Sequence, residues 1–81
     1  MLLHEFHKSS TEKVVVQLRE FRGRRYLDLR IYFDASYGLG QDWRPSKKGL
    51  TVSVEDVDKL RTGVDRALSY IYCSGGAAVG Q

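Results

Sequence analysis

Basic and aromatic side chains alternate with apolar ones in residues 20–33, which read EFRGRRYLDLRIYF. The apolar residues recur at every second position, as in a half-buried strand. The positions between them hold arginines and aromatics instead of the small polar residues of an ordinary solvated face. Aromatic rings can stack on unpaired bases and arginines can contact phosphates, so this combination is typical of a surface for single-stranded nucleic acid. A solvated face, on which arginine stems and tyrosine rings only cover each other, has the same composition.

The two halves of this region are predicted to form a tight hairpin. Residues 13–21 and 24–33 are rich in β-branched and aromatic residues, and they flank Arg22 and Gly23, where Gly23 supplies the positive φ that the turn requires. A two-residue loop places three purely apolar pairs on one face: Leu18 with Leu27, Val16 with Leu29, and Val14 with Ile31. We call the opposite face the Arg/aromatic face; its pairs are Phe21–Arg24, Arg19–Tyr26, Gln17–Asp28, Val15–Arg30 and Lys13–Tyr32.

A second basic cluster, RPSKKG, occupies residues 44–49. A short basic run beside glycine suits phosphate contact, because such contact requires only charge and access to the backbone. A surface loop whose lysines serve only solubility has the same composition. The cluster lies at the end of a long connection, residues 34–48, which we predict to hold a short edge strand around Trp43, since Pro45 is tolerated at a sheet edge.

The last third of the chain predicts a strand followed by a helix. Residues 49–54 alternate as a strand does, and Ser53 is a candidate helix N-cap, with Asp56 three residues later. Apolar residues from Val57 to Ile71 recur at helical spacing. This order predicts an α+β domain in which one helix covers one face of the sheet. We expect residues 1–12 to form an extra strand or an arm, residues 13–72 to form the domain, and residues 73–81 to be a disordered tail.

Length and charge restrict the class of protein. With 81 residues the chain makes one small domain, and such a domain buries only about 60% of the surface of its unfolded chain, so dimerisation is a common remedy. The net charge is +3, and residues 1–54 hold ten basic and six acidic side chains against three and four in residues 55–81. The positive charge therefore lies with the predicted sheet.

Several other classes are disfavoured. Cys73 is the single cysteine, which excludes an intramolecular disulfide, and no apolar run approaches the ~18 residues that span a bilayer. We expect a soluble, cytoplasmic protein without membrane contact. His4 and His7 could join Cys73 at a metal, but no fourth ligand stands out, so no metal or cofactor is expected. The carboxylates are scattered and no catalytic triad can be proposed, so we expect a binding module and not an enzyme.

The order of these motifs resembles the C-terminal domain of the positive cofactor four transcriptional coactivators and their bacterial relatives. The resemblance covers roughly residues 14–68. It depends on three motifs: aromatic-basic-Gly-basic in the turn from Phe21, Asp-apolar-Arg in the second strand, and Pro-x-basic-basic-Gly before the last strand. It implies a four-stranded antiparallel curved sheet followed by one C-terminal helix (β-β-β-β-α), in a domain that dimerises and binds single-stranded DNA in grooves formed by its sheets.

The resemblance also assigns residues to the interface. It implies contacts from the turn, from Arg30, and from the basic loop, and Phe33 occupies the place of a base-stacking tryptophan in some members. Strict alternation puts Phe33 on the apolar side, so a contact there requires a bulge, and Trp43 is the alternative stacking residue. With the Arg/aromatic face included, the predicted nucleic-acid-binding residues are Arg19, Phe21, Arg22, Arg24, Tyr26, Arg30, Phe33, Trp43, Arg44, Lys47 and Lys48.

The function expected from pattern and resemblance together is binding of single-stranded DNA with little sequence specificity, by a homodimer. Phosphate contacts and aromatic stacking would supply the affinity, in a transcription coactivator or regulator or in a protein that handles exposed strands in replication and repair. Two alternatives remain open at this point. One is an adaptor that docks the transcription machinery, and the other is RNA binding, because no residue must read a 2′-OH.

Overall fold

The computed structural model describes residues 1–73, which form one antiparallel sheet and one helix. The elements are β1 (Leu2–His7), β2 (Glu12–Phe21), β3 (Arg24–Asp34), β4 (Trp43–Ser53), a 3-10 turn (Val54–Asp56) and α1 (Val57–Cys73). The strands lie in the order β1-β2-β3-β4, so β1 and β4 are the edges of an open, curved sheet. The predicted α+β class with the order β-β-β-β-α is confirmed. Cys73, the first residue of the predicted tail, is the last residue of α1, and the rest of that tail lies outside the described residues.

The β2–β3 hairpin has the register that the sequence predicts. Pairing is unbroken from Glu12 opposite Phe33 to Phe21 opposite Arg24. At the turn, both Arg22 (φ 54°) and Gly23 (φ 78°) have positive φ. A two-residue turn with both φ values positive matches the right-handed twist of the flanking strands. The sequence predicts a left-handed conformation for Gly23, and Arg22 adopts it as well, at a cost of about 1 kcal/mol for a residue with a Cβ.

The third and fourth predicted strands are in fact one strand. The edge strand expected around Trp43 and the strand expected over residues 49–54 are joined in β4, and the N-terminal residues 2–7 supply the remaining strand. β4 stays continuous because it contains a bulge. Its pairing with β3 passes from Gly49 opposite Arg30 to Pro45 opposite Tyr32, which leaves residues 46–48 opposite a single residue of β3. A bulge at a sheet edge absorbs extra residues, and an edge tolerates proline.

The expectation that the helix covers a face of the sheet is wrong for the single chain. Within its described length, α1 has no buried residue, and Val64 and Leu68 are 52% and 45% exposed. The apolar sheet face is likewise only half-buried, and Leu50 is 50% exposed. Ser53 precedes the 3-10 turn at the N-cap position, but its side chain makes no capping hydrogen bond. Both amphipathic surfaces are therefore left partly in contact with solvent, because neither covers the other.

The two buried residues among residues 1–73 lie on the Arg/aromatic face instead. Val15 is 5% exposed and Asp28 is 2% exposed. Val15 pairs with Glu5 of β1 and Arg30 of β3, and Asp28 pairs with Gln17 and Thr51. Long side chains on neighbouring strands can cover short ones while their charged ends stay in water. The centre of the Arg/aromatic face, at Val15 and Asp28, is thus more fully buried than any residue of the apolar face in residues 1–73.

The bulge in β4 requires a residue without a Cβ at position 49, and this requirement can be tested by mutation. A Cβ added there would overlap the backbone oxygen of Leu29 and lie 2.9 Å from the Cα of Arg30. Both are backbone atoms of the central strand β3, so they cannot move without opening the sheet. We expect Gly49→Ala to lower the free energy of unfolding by about 1–3 kcal/mol, as overpacking does, measured by urea denaturation.

Gly63 provides the matched control for this substitution. It lies in α1 with open space around its missing Cβ, so Gly63→Ala is expected to raise the free energy of unfolding by about 0.5–1 kcal/mol. If the Gly49 variant were as stable as the wild type, the close approach of β4 to β3 at this point would be disproved.

Candidate nucleic-acid interface

At the centre of the Arg/aromatic face, Asp28 holds Arg30 through two hydrogen bonds. Arg30 Nη2 donates to Asp28 Oδ1 at 2.9 Å and Arg30 Nε donates to Oδ2 at 3.2 Å. Thr51 Oγ1 donates to Oδ1 at 3.1 Å, and Arg19 Nη1 lies 3.9 Å from Oδ2. The bonds from Arg30 hold the pKa of Asp28 below its ordinary value of 3.8 although burial opposes this, and Thr51 and Arg19 lower it further. Asp28 is therefore a buried, ionised and fully bonded carboxylate.

One end of this face, at the Arg22–Gly23 turn, displays a cluster of arginines and aromatics. Phe21 is 62% exposed, and the guanidinium carbon of Arg22 lies 5.1 Å from the centroid of its ring. Arg24 pairs with Phe21, and Tyr26 pairs with Arg19, whose side chain is 57% exposed. An exposed ring among guanidinium groups can stack on a base while the cations contact phosphates. The structure thus brings five of the predicted residues together.

The other end of the same face holds Trp43. Trp43 pairs with Asp34, roughly 30 Å from the turn at about 3.3 Å per residue of β3. The Nζ of Lys13 lies 4.7 Å from the centroid of the Trp43 ring, and the His7 ring lies 5.5 Å away, edge-on. Lys13 also forms an ion pair of 2.9 Å with Glu5, and this bond lowers the pKa of Glu5. The Trp43 ring is therefore half-buried, with the Lys13 ammonium group and the His7 ring next to it.

Lys47 and Lys48 lie in the bulge of β4, and Ser46 holds this bulge against β3. Ser46 Oγ donates to the backbone oxygen of Ile31 at 2.8 Å and accepts from the Lys48 amide at 3.1 Å. Arg30 Nη1 donates to the backbone oxygen of Ser46 at 3.1 Å. Both lysines are exposed, and neither has an ion-pair partner within the described part of the chain. Their charges are available to an external anion.

Two of the predicted nucleic-acid-binding residues, Phe33 and Arg44, lie on the apolar face of the sheet and not on the Arg/aromatic face. The β2–β3 register has no bulge at Phe33, so Phe33 keeps the side that alternation assigns, where it is 39% exposed. Arg44 pairs with Phe33, and its guanidinium bonds to Asp42 at 3.1 and 2.9 Å. Of the two alternative stacking residues, Trp43 is the one on the Arg/aromatic face.

Sequence reasoning missed two residues of the candidate site. Thr51 bonds to Asp28, and Ser46 bonds to Ile31 and to the Lys48 amide within the bulge. Their positions opposite Asp28 and Ile31 depend on the register of β4, and that register requires the bulge. Alternation predicts Lys13 and Tyr32 on the Arg/aromatic face but outside the site. In the structure Tyr32 bonds to Gln17 on the same face, since Gln17 Nε2 donates to its hydroxyl at 3.1 Å.

In residues 1–73, no three His, Cys, Asp or Glu side chains gather as metal ligands would. No helix in that range is long and apolar enough to cross a membrane.

Comparison with known proteins then decides the family. The model of the family described as Transcriptional Coactivator p15 (PC4) matches residues 8–63, which is more than half of the chain. The chain belongs to this family. PC4 family members are non-enzymatic DNA-binding proteins, so the expectations of a DNA-binding module and of no enzymatic activity are supported by membership. The matched range contains the hairpin turn, the Asp28–Arg30 pair and the bulge of β4.

Solved structures of PC4 homologues share the fold. The PC4 homologue of Burkholderia pseudomallei K96243 in its tetragonal crystal form matches with a TM-score of 0.75 and 25% identity, over 83% of this chain and 94% of that one. Its orthorhombic form gives 0.73 and 27%, over 83% and 86%. The bacteriophage T5 homologue of the eukaryotic coactivator PC4 gives 0.69 and 20%, over 99% and 92%. No curated protein sequence matches the chain.

The lowered pKa of Asp28 predicts how stability depends on pH. Because the folded pKa lies below the unfolded one, the stabilisation is fully present above about pH 4 and is lost as the pH falls through the folded pKa. We expect the free energy of unfolding, measured with urea from neutral pH to about pH 2.5, to fall more steeply for the wild type than for Asp28→Asn. Glu5 and Asp34, whose pKa values are also lowered, contribute equally to both proteins. Parallel curves would contradict the assignment.

Proposed function

We propose that this PC4 family member binds single-stranded DNA with little sequence specificity, through phosphate contacts and base stacking. It would serve as a regulator of transcription, or handle exposed strands during replication and repair. The observation that carries the proposal is the exposed Phe21 ring with Arg22 against it, on the same sheet face as Arg19 and Arg24. Two comparisons support roles in transcription and in replication. The family is described as a transcriptional coactivator, and the T5 homologue is implicated in recombination-dependent DNA replication.

The chemistry of the face favours a single strand over a duplex. An exposed aromatic ring gains stacking energy only from a base whose face is free, and a duplex hides its base faces. The arginines and the bulge lysines contact phosphates, which are the same in every sequence. We propose the cytoplasm as the compartment in which the protein acts, because the homologues of similar structure come from a bacterium and a bacteriophage, whose DNA lies in the bacterial cytoplasm.

The proposed functional unit is a homodimer. The apolar sheet face is half-buried, and the apolar side of α1 is exposed at Val64 and Leu68. A second copy of the chain offers the same two surfaces, so one contact with two-fold symmetry can cover all four. Exposed apolar surface of this extent on a chain of 81 residues is a reason to associate.

Light scattering of the protein at micromolar concentration tests this assembly. We expect a mass twice that of the chain, and we expect Leu68→Lys to shift the mass toward a single chain because it places a charge in the contact. Tyr37→Lys, which changes a loop residue that is 94% exposed, is the control and should leave the mass unchanged. A wild-type mass of one chain would disprove the dimer.

Binding of labelled single-stranded DNA, duplex DNA and RNA at two salt concentrations tests the function. We expect the single strand to bind most tightly. Replacement of both Lys47 and Lys48 by alanine should flatten the slope of log affinity against log salt by about 1.4, at roughly 0.7 per lost contact. Phe21→Ala should cost about 1–3 kcal/mol and leave the slope unchanged.

The matched charge control is Lys59→Ala combined with Arg61→Ala. These residues are exposed on α1 and are not among the predicted nucleic-acid-binding residues, so the salt slope should stay near that of the wild type. Circular dichroism first establishes that each variant is folded. Equal slopes for the two double variants would show that the site has been misplaced. Tight, salt-insensitive capture of a polymerase subunit would favour the adaptor, and tighter binding of RNA would favour an RNA-binding role.

A further inference from the structure

The buried carboxylate of Asp28 lies in the middle of a face that is proposed to bind a polyanion. A negative charge there repels phosphate, so electrostatics alone would favour a neutral residue. Asp28 is 2% exposed, and it is the one buried polar residue in residues 1–73. Its presence therefore requires a reason other than direct contact with DNA.

The contacts of Asp28 supply that reason. Its two oxygens bind Nε and Nη2 of Arg30, at 3.2 and 2.9 Å. This fork fixes the plane of the guanidinium, because a two-point contact removes the freedom to rotate. The Arg30 side chain is 20% exposed, whereas that of Arg19 is 57% exposed. The pair carries no net charge, so Arg30 adds little to the attraction of the face for phosphate.

The remaining nitrogen of Arg30 connects the pair to the bulge. Nη1 donates to the backbone oxygen of Ser46 at 3.1 Å. The ladder between β3 and β4 is interrupted there, so this bond replaces a missing backbone contact. The Ser46 hydroxyl bonds to Ile31 on one side and to the Lys48 amide on the other. A continuous set of hydrogen bonds thus runs from Asp28 through Arg30 and Ser46 to Lys48.

We propose that Asp28 and Arg30 are positioning residues that act through Ser46 to hold the Lys47–Lys48 bulge where its charges meet phosphates. Arg30 then contributes to DNA binding through the geometry of the bulge, and Lys47 and Lys48 make the contacts. This inference rests on the proposed function. It predicts the opposite of what the change in net charge alone would predict. Removal of the Asp28 charge weakens binding, although it makes the protein more positive.

The test is a double-mutant cycle on the full chain, read by the affinity for a labelled oligo-dT strand at low salt. Asp28→Asn keeps the size of the side chain but weakens the fork, and we expect affinity to fall about five- to tenfold, within the range of coupled contacts. In a Lys47→Ala, Lys48→Ala background the same substitution should change affinity by less than about twofold, since the contacts that it positions are already absent.

Glu20→Gln is the matched control for charge. Glu20 pairs with Arg25 near the turn, and it makes no ion pair within the described chain, so its replacement also removes one negative charge without touching the bulge. Affinity should be unchanged or slightly higher. Equal weakening by Glu20→Gln and Asp28→Asn would overturn the proposal.

Ser46→Ala keeps the test decisive if Asp28→Asn does not fold. It removes the hydroxyl bonds to Ile31 and Lys48 and leaves Asp28 intact, and we expect it to weaken binding in the same way. Amide hydrogen exchange then reports the bulge directly. In either variant the Lys48 amide should exchange faster relative to the Leu29 amide of the central strand, whereas general destabilisation would raise both rates together.

The outcomes separate this inference from the proposed function. If the wild type binds the DNA strand and the Asp28 and Ser46 variants bind as well as it does, the positioning role is overturned and the function stands. If their effects add to those of the lysine substitutions, the positioning role is also overturned. If the wild type does not bind the strand at all, the proposed function fails and the inference fails with it.

Discussion

The unbroken pairing of β2 with β3 is the constraint on which the other features depend. Side chains alternate along a strand, so a shift of one residue would exchange the two faces of the hairpin. The two-residue turn at Arg22 and Gly23 excludes that shift, because both residues adopt the positive φ that a tight hairpin needs. From this pairing follow the apolar face, the Arg/aromatic face, and the position of Asp28 between Gln17 and Thr51.

The turn also combines backbone strain at Arg22 with an exposed position for its side chain. Asparagine is favoured at the first position of such a turn, whereas this chain has Arg22 with φ 54°. The conformation costs about 1 kcal/mol, and it sets the guanidinium against the exposed ring of Phe21. Strain retained at an exposed, charged position is more easily explained by a binding surface than by stability.

Buried residues are distributed differently in this chain than in a domain that forms a complete apolar core as a monomer. Val15 and Asp28, the buried pair of the described residues, lie on the polar face under long side chains, while the apolar face and α1 remain partly exposed. The single chain therefore completes its polar network but not its apolar core. A chain built in this way has its Arg/aromatic face organised within one copy and leaves apolar surface exposed for contact with another.

What the sequence by itself determined is local in the chain. The alternation of residues 13–33, the Arg22–Gly23 turn and the helical spacing after Ser53 predicted the hairpin, its register, its two faces and the helix, and the motifs indicated the family. The tertiary structure alone decided three points: the union of Trp43 and Gly49 in one bulged strand, the exposure of α1, and the bonds that connect Asp28 through Arg30 to Ser46. The first and the third depend on pairing between β3 and β4, which are joined by a long connection. A short turn transmits register through the backbone, but across a long connection register is set by contacts between distant side chains, which no local pattern encodes.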